Sequence, residues 1–219
     1  MAVSPHMPDS PDTERLASSP PVLVLATANP DKAREMAALL QDLPFEIKNR
    51  ADFAPLPEVE ETADSFSGNA ILKAVALAEA TGHLALADDS GLCVDALNGA
   101  PGVWSARYAG PGCTYADNNR KLLRELAGVP LERRTAHFVC VVAIVCPGGG
   151  SPVTFEGRCD GLIATQASGA EGFGYDPLFV IPAEGLSFAQ MTPVGKSRHS
   201  HRARAFEGAR SWLSRLATG

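Results

Sequence analysis

Residues 22–26, Val-Leu-Val-Leu-Ala, form an unbroken apolar run of strand length, and the turn-forming stretch Thr27-Ala28-Asn29-Pro30 follows it at once. A strand with no polar face has to be covered on both sides, which places it inside an α/β sheet. Pro30 suits the first turn of a helix, and Ala33, Met36, Ala37 and Leu40 recur at helical spacing behind it. The same grammar returns further on. A helical pattern over residues 67–80 stops at Gly82, and a second covered strand at residues 84–87 is expected to end abruptly in Asp88-Asp89-Ser90-Gly91. Residues 92–94 continue as a further strand or turn.

Between these units, residues 50–64 hold Pro55, Pro57, Glu58, Glu60 and Glu61 and are expected to form an exposed loop. Residues 115–127 carry Leu122, Leu123 and Leu126 at helical spacing, closed by Gly128 and Pro130. Residues 138–146 are the strongest strand pattern, and Pro147-Gly148-Gly149-Gly150 turns it into a partner at residues 153–157. A last strand at 178–181 precedes a final helix over about 200–216. Crossover units mixed with a hairpin predict an α/β chain with a mixed sheet flanked by helices.

At 219 residues and 45% hydrophobic, the chain can bury a sizeable core in one or two lobes. Its formal charge of -6 supplies no field for nucleic acid or an anionic membrane, so any phosphate has to be held by local cations. Cys93, Cys113, Cys140, Cys146 and Cys159 show neither a CxxC pair nor zinc spacing, and are expected to be reduced structural thiols. No apolar run is long enough to span a bilayer, and the opening residues lack the core of a secretory signal. The expected arrangement is a disordered leader over residues 1–20, rich in Pro, Ser and Asp, ahead of a cytoplasmic domain over 21–219.

Four segments could carry chemistry. A loop from a buried strand into a helix, as at Thr27, Ala28, Asn29, Pro30, Asp31 and Lys32, presents backbone N–H groups and a positive dipole end to a phosphate. Alone, it could equally be an Asn29 cap with a solvated lysine. Asp88 and Asp89 repel one another unless a cation or donors neutralise them. A hard divalent ion is the natural partner, with Glu61 and Asp89 as its protein ligands, and an Asp-Ser-Gly turn is the alternative. Ser90 sits in no GxSxG elbow and so is not a covalent nucleophile. Lys196, Arg198, His199, His201 and Arg202 concentrate positive charge where a helix is expected to begin, a conflict that an anionic or carbonyl-rich ligand would resolve. In Gly172-Phe173-Gly174-Tyr175-Asp176-Pro177, Phe173 could stack on a base, while Tyr175 reads better as a core anchor.

Taken together, TANPDK, EETADSFSGNAILKA, ADDSGLCVDALNGAPGVWSARYAG, GFGYDPLF and KSRHSHRARA resemble the motif set of the inosine/xanthosine triphosphate pyrophosphatase family. The match spans nearly everything from Val22 onward. Ala63 departs from it, standing where bacterial members usually carry glycine.

The resemblance implies an elongated, twisted sheet in two lobes with a nucleotide cleft between them, a homodimer, and a Mg2+ cofactor. It further implies that residues 27–32 and Lys73 grip the triphosphate, that Glu61 and Asp89 hold the metal, and that Asp89 also accepts a proton. Ser90 would touch substrate. Phe173, Gly174, Tyr175 and Asp176 would form the base pocket, closed by Lys196, His201 and Arg202. The implied reaction cuts non-standard purine nucleoside triphosphates (ITP, dITP, XTP) into monophosphate and pyrophosphate. A pyrophosphohydrolase of modified or ordinary triphosphates would use the same cations and differ only in the base pocket. A non-catalytic nucleotide-binding module would have no need of the Asp89 carboxylate.

Overall fold

The computed structural model of the chain describes residues 20–53, 55, 56 and 58–218, so the expected leader lies, apart from Pro20, outside the described residues. Seven strands form one sheet: β1 (Val22–Leu25), β2 (Glu46–Asn49), β3 (Leu84–Val94), β4 (Thr135–Val145), β5 (Val153–Ile163), β6 (Phe179–Ile181) and β7 (Leu186–Ser187). Their order is β2-β1-β3-β4-β5-β6-β7. The first three run parallel and the rest antiparallel, which is the expected mixed sheet. Among the described residues five α-helices accompany them: α1 (Pro30–Leu40), α2 (Phe66–Thr81), α3 (Tyr115–Glu125), α4 (Pro193–His199) and α5 (His201–Thr218).

Local chemistry accounts for the helix ends. The Asn29 side chain accepts from the amides of Asp31 and Lys32, and Pro30 opens α1. Ser65 caps α2 through the amide of Gly68, and Gly82 ends it in the left-handed conformation at φ 67°. Thr114 and Asp117 form a reciprocal capping box on α3.

One expectation is overturned. The covered strand does not end at Ala87, because β3 runs unbroken through Asp88, Asp89, Ser90 and Gly91 to Val94. Each of these pairs with β4, Asp88 with Val142 and Asp89 with Val141. A continuous ladder on one edge outweighs the turn preference of a local Asp-Ser-Gly sequence, since propensity yields to tertiary pairing. Three elements lie outside the sequence patterns: β2, β7, and α4, which starts on a Thr192 cap with Pro193 at its first position.

Because side chains alternate along a strand, Asp88 and Asp89 face opposite sides of the sheet. Asp88 shares its face with Leu86, Cys140 and Val142, packed under α1 and α5 with Met36, Leu40, Phe206 and Leu213. Asp89 shares the other with Ala87, Val139 and Val141, packed under Ala70, Ala74 and Leu77 of α2. A further cluster, including Leu92, Leu122, Phe138, Phe179 and Phe188, fills the second lobe. Each fully buried Leu or Phe contributes about 1.5–3 kcal/mol.

The sheet positions the site by a change of neighbour. β1 stops pairing with β3 at Leu86, where the amide of Ala26 donates to the Leu86 carbonyl. The next partners on that edge are Ser105 Oγ, which accepts from the Leu92 amide, and Pro101, bridged to Cys93. Asp88, Asp89 and Ser90 lie in the interval, at the crevice such a divergence creates. On the far side, Gly157 lets α5 rest on β5: a Cβ there would meet the His201 carbonyl at 2.1 Å and the Ala205 amide at 2.4 Å.

Candidate active site

The two aspartates organise two ion-pair networks. Asp88 Oδ2 lies 3.2 Å from Lys32 Nζ and 3.2 Å from an Arg202 guanidinium nitrogen, which also donates to Ser90 Oγ at 3.0 Å. Asp89 Oδ1 accepts from Lys73 Nζ at 2.9 Å, and the same ammonium reaches Glu61 Oε1 at 3.1 Å. Arg107 grips the other oxygen of Glu61 at 2.8 Å and stacks over the Trp104 ring.

Both carboxylates are buried, and the charges around them decide opposite outcomes. For Asp88, burial would raise the pKa, but Lys32, Arg202 and Lys73 outweigh it and hold the group well below the usual carboxylate range. For Asp89 burial wins and lifts the carboxyl above its ordinary value, with Lys73 only partly opposing it. Two acids pushed apart by their environments are suited to different roles: a permanent anion and a group able to take up a proton. Lys73 stays charged, because Asp89, Asp88 and Glu61 overcome the desolvation that would lower it.

Toward α4 and α5 the cleft becomes aromatic. Lys196 Nζ donates to Asp176 Oδ2 at 2.7 Å and to Glu35 Oε1 at 3.0 Å, and Arg202 reaches Glu35 Oε2 at 2.5 Å. Both cations lie within 6 Å of the Phe173 ring centroid, at 5.1 and 5.8 Å. Asp176 also accepts from the Phe173 amide at 2.9 Å, so one carboxylate fixes the loop and the lysine together. His201 stacks on Phe138 at 4.6 Å, and burial with the neighbouring cations pushes its pKa far down, leaving a neutral ring.

Three buried polar atoms meet here without a partner: Asp88 Oδ1, His201 Nδ1 and Arg202 Nε. Such groups are costly, and they concentrate where a fold serves chemistry at the expense of stability.

Comparison with known proteins decides the lineage. The profile of the Ham1 family matches residues 23–212. The chain belongs to that family. A dITP/XTP pyrophosphatase of Desulfotalea psychrophila is 50% identical over 185 residues, covering 84% of this chain and 82% of its own. One from Geobacter sulfurreducens is 50% identical over 183 residues, covering 84% and 92%. Among solved structures, a HAM1 protein from Coxiella burnetii matches with a TM-score of 0.82 and 40% identity, over 89% of this chain and 99% of that one. A nucleoside-triphosphatase / dITP/XTP pyrophosphatase from Mycobacterium abscessus matches at 0.71 and 42% identity, over 85% and 97%.

Most of the residues singled out by the Ham1-family motifs converge. One cavity is lined by Asn29, Lys32, Glu61, Asp89, Ser90, residues 173–176, Lys196, His201 and Arg202. An adjoining one, of about 290 Å³, adds Thr27, Ala28, Lys73 and Asp88.

Some expectations need correcting. The amides of Asp31 and Lys32 are not free for a ligand, because the Asn29 side chain already accepts from both. Pro30 opens the helix, and the Asp31 carboxylate pairs with Arg34 and lines a neighbouring groove that shares Phe173, Lys196 and Arg202 with the cleft. Tyr175, in keeping with its reading as a core anchor, is buried with its hydroxyl on the Ser105 carbonyl at 2.9 Å while still lining the cavity. The cation cluster does not crowd a single helix start: Lys196, Arg198 and His199 occupy the last turn of α4, where positive charge is favoured.

Glu35, Asn69, Arg107 and Tyr115 escaped sequence reasoning. Glu35 lies beside the apolar stripe of α1 and resembles a surface residue. The signal that could have found it is charge balance, since Lys196 and Arg202 inside one pocket require more than one acid. Asn69 accepts from the Ala63 amide at 3.0 Å and reaches Asp89 Oδ2 at 3.5 Å, tying the acidic loop to the strand. Ala63 therefore keeps the loop anchored through its backbone amide, with its methyl over the bare Cα of Gly68.

Proposed function

We infer that the chain hydrolyses non-standard purine nucleoside triphosphates, the inosine, deoxyinosine and xanthosine forms, to monophosphate and pyrophosphate. The observation that carries this reading is a single cleft with Lys32, Lys73, Asp89 and Glu61 at one end and Phe173, Lys196 and Arg202 at the other. The 50% identity to proteins named dITP/XTP pyrophosphatase supports it.

Phosphate oxygens would displace the carboxylates now paired with Lys32 and Lys73, neutralising charge on the departing pyrophosphate. Asp89, with its carboxyl lifted by burial, takes a proton from the water that attacks the α phosphorus as the bond to the β-phosphate bridging oxygen breaks. Asp88 stays anionic and holds Arg202 in place. At the aromatic end, Phe173 stacks on the base, and cationic donors from Lys196 or Arg202 meet the 6-oxo acceptor of hypoxanthine or xanthine. Adenine carries an amino donor there and would be left mispaired, a penalty that can reach several powers of ten.

Magnesium fits the donor set. Glu61 and Asp89 are hard oxygen ligands already gathered around one cation, Lys73. Among the described residues no three His, Cys, Asp or Glu side chains form a closed cage. An ion that takes few carboxylates and completes its shell with water and phosphate suits such a site. When bound, it would acidify a water and neutralise phosphate charge.

A panel of nucleoside triphosphates, assayed with Mg2+ and with chelator, tests the reading. The expected products are monophosphate and pyrophosphate, with inosine and xanthosine forms preferred and activity abolished by chelation. Release of orthophosphate with a diphosphate left behind would overturn it. The resemblance also supports a homodimer, which sedimentation at twice the chain mass would bear out. Free cysteines support a cytoplasmic location, checked by fractionation; no helix among the described residues is long and apolar enough to cross a membrane.

A further inference from the structure

Helix α3 presents side chains one turn apart to two different walls of the cleft. Tyr115 and Asn119 are four residues apart and therefore share a face of the helix. The Tyr115 hydroxyl accepts from Asn29 Nδ2 at 3.0 Å, and a longer contact of 3.5 Å directs its proton toward Asp31 Oδ2. Its ring lies 6.0 Å from that of Phe173, tilted by 39°. Asn119 Nδ2 donates to the Gly174 carbonyl at 3.0 Å. Asn118, buried between them, accepts from the Ala109 amide at 2.7 Å and donates to the carbonyls of Ser105 and Ala106 at 3.4 and 3.2 Å. The helix is thus fixed to the segment that carries Arg107, and from there it touches both ends of the cleft.

We propose that Tyr115 is a positioning residue that couples the phosphate-side loop, residues 27–32, to the base-side loop around Phe173. The inference rests on the reading that phosphates bind at Lys32 and Lys73 and the base at Phe173. Asn29 can face only one way: its carbonyl oxygen caps α1, which turns its amide nitrogen outward, and Tyr115 holds that nitrogen. Removing the hydroxyl leaves the cap intact but frees the two loops to move independently. Tyr115 is 40% exposed and at the first position of its helix, so its core contribution is small and its loss should leave the fold alone. A ligand that spans both loops feels the tie, and a ligand that occupies the phosphate end alone does not.

The test compares Tyr115→Phe and Tyr115→Ala with wild type in the full chain, using inosine triphosphate as substrate and inorganic triphosphate as a base-free competitor. KM should rise about two- to tenfold in Tyr115→Phe, the range expected for one neutral hydrogen bond, and further in Tyr115→Ala. The turnover number should stay within about twofold, since the tie acts equally on ground and transition states. The inhibition constant of inorganic triphosphate and the melting temperature should not move. An unchanged KM in both variants overturns the proposal. So does a parallel rise in the inhibition constant, which would confine Tyr115 to the phosphate loop, or a parallel fall in melting temperature, which would make it structural. A wild type inert toward inosine triphosphate sinks the functional reading as well, whereas an active wild type with unaltered variants sinks the coupling alone.

Discussion

Asp88 and Asp89 are adjacent and chemically identical, yet the sheet puts them in two different worlds. The α5 face surrounds Asp88 with Lys32, Arg202 and Ser90, and the field of those cations fixes it as an anion. The α2 face offers Asp89 chiefly one ammonium, shared with Glu61, and burial prevails. The first is held as a permanent charge at the junction of the two cleft ends, and the second is left able to take up a proton. What the pair teaches is that one residue of register separates two electrostatic environments, because strand alternation sends neighbours to opposite faces.

The widest gap should appear when each is made amide. Asp89→Asn is expected to lower turnover by about two to four orders of magnitude, the usual worth of a positioned proton acceptor. Its stability should stay within about 1 kcal/mol of wild type, because the substitution also removes a charge that burial disfavours. Steady-state kinetics with a denaturant melt on the same sample reads both, and near-normal turnover would dissolve the contrast.

Asp88→Asn should do the reverse in stability, costing about 3–5 kcal/mol, because it strands Lys32 and leaves a fully buried Arg202 with Glu35 as its one remaining acid. Its pH dependence has a definite sign. The folded-state pKa lies below the ordinary 3.8, so the stabilisation from Asp88 is complete above that value and is lost as pH falls beneath it. The difference in unfolding free energy between wild type and Asp88→Asn should therefore be full at neutrality and shrink below about pH 4. A gap that stays constant down to pH 2 would remove Asp88 from the network.

Arg202 belongs to both halves of the comparison, since it pairs with Asp88 and Glu35 and lies near Phe173. Arg202→Lys keeps a charge but loses the planar fork. It should cut the preference for inosine over adenosine triphosphate by about tenfold or more, if a buried donor meets the 6-oxo group. An equal loss on both nucleotides would assign Arg202 to the scaffold alone.

The smallest effect tests the backbone that brings α5 in. Gly157→Ala would drive a methyl into the His201 carbonyl and the Ala205 amide. The expected cost is about 1–3 kcal/mol, with a rise in KM as Arg202 and His201 shift. Calorimetry and kinetics that both match wild type would show that α5 can move without consequence.

Much of this is legible in the sequence. The apolar run at residues 22–26, the Asn29-Pro30 start of α1 and the Gly82 stop of α2 act over a few residues, where local chemistry is sufficient. The motifs around Lys32, Glu61, Lys73, Asp89 and Phe173 carried the site because side-chain identity survives without knowledge of where the chain turns. Segment ends were harder. The extension of β3 through the acidic pair depends on β4, about fifty residues away in sequence, and no local preference encodes that partner.

By itself, then, the sequence determined the class of fold, the order of its pieces and the set of chemically competent residues, because propensity, periodicity and side-chain identity are local properties. Only the tertiary structure decided which acid sits among several cations and which is governed by burial. It also recruited Glu35, Asn69, Arg107 and Tyr115, each of which acquires its role from a partner distant along the chain. Charge, burial and reach across a cleft are properties of an arrangement in space, and they arise only when separate segments are brought within a few ångströms of one another.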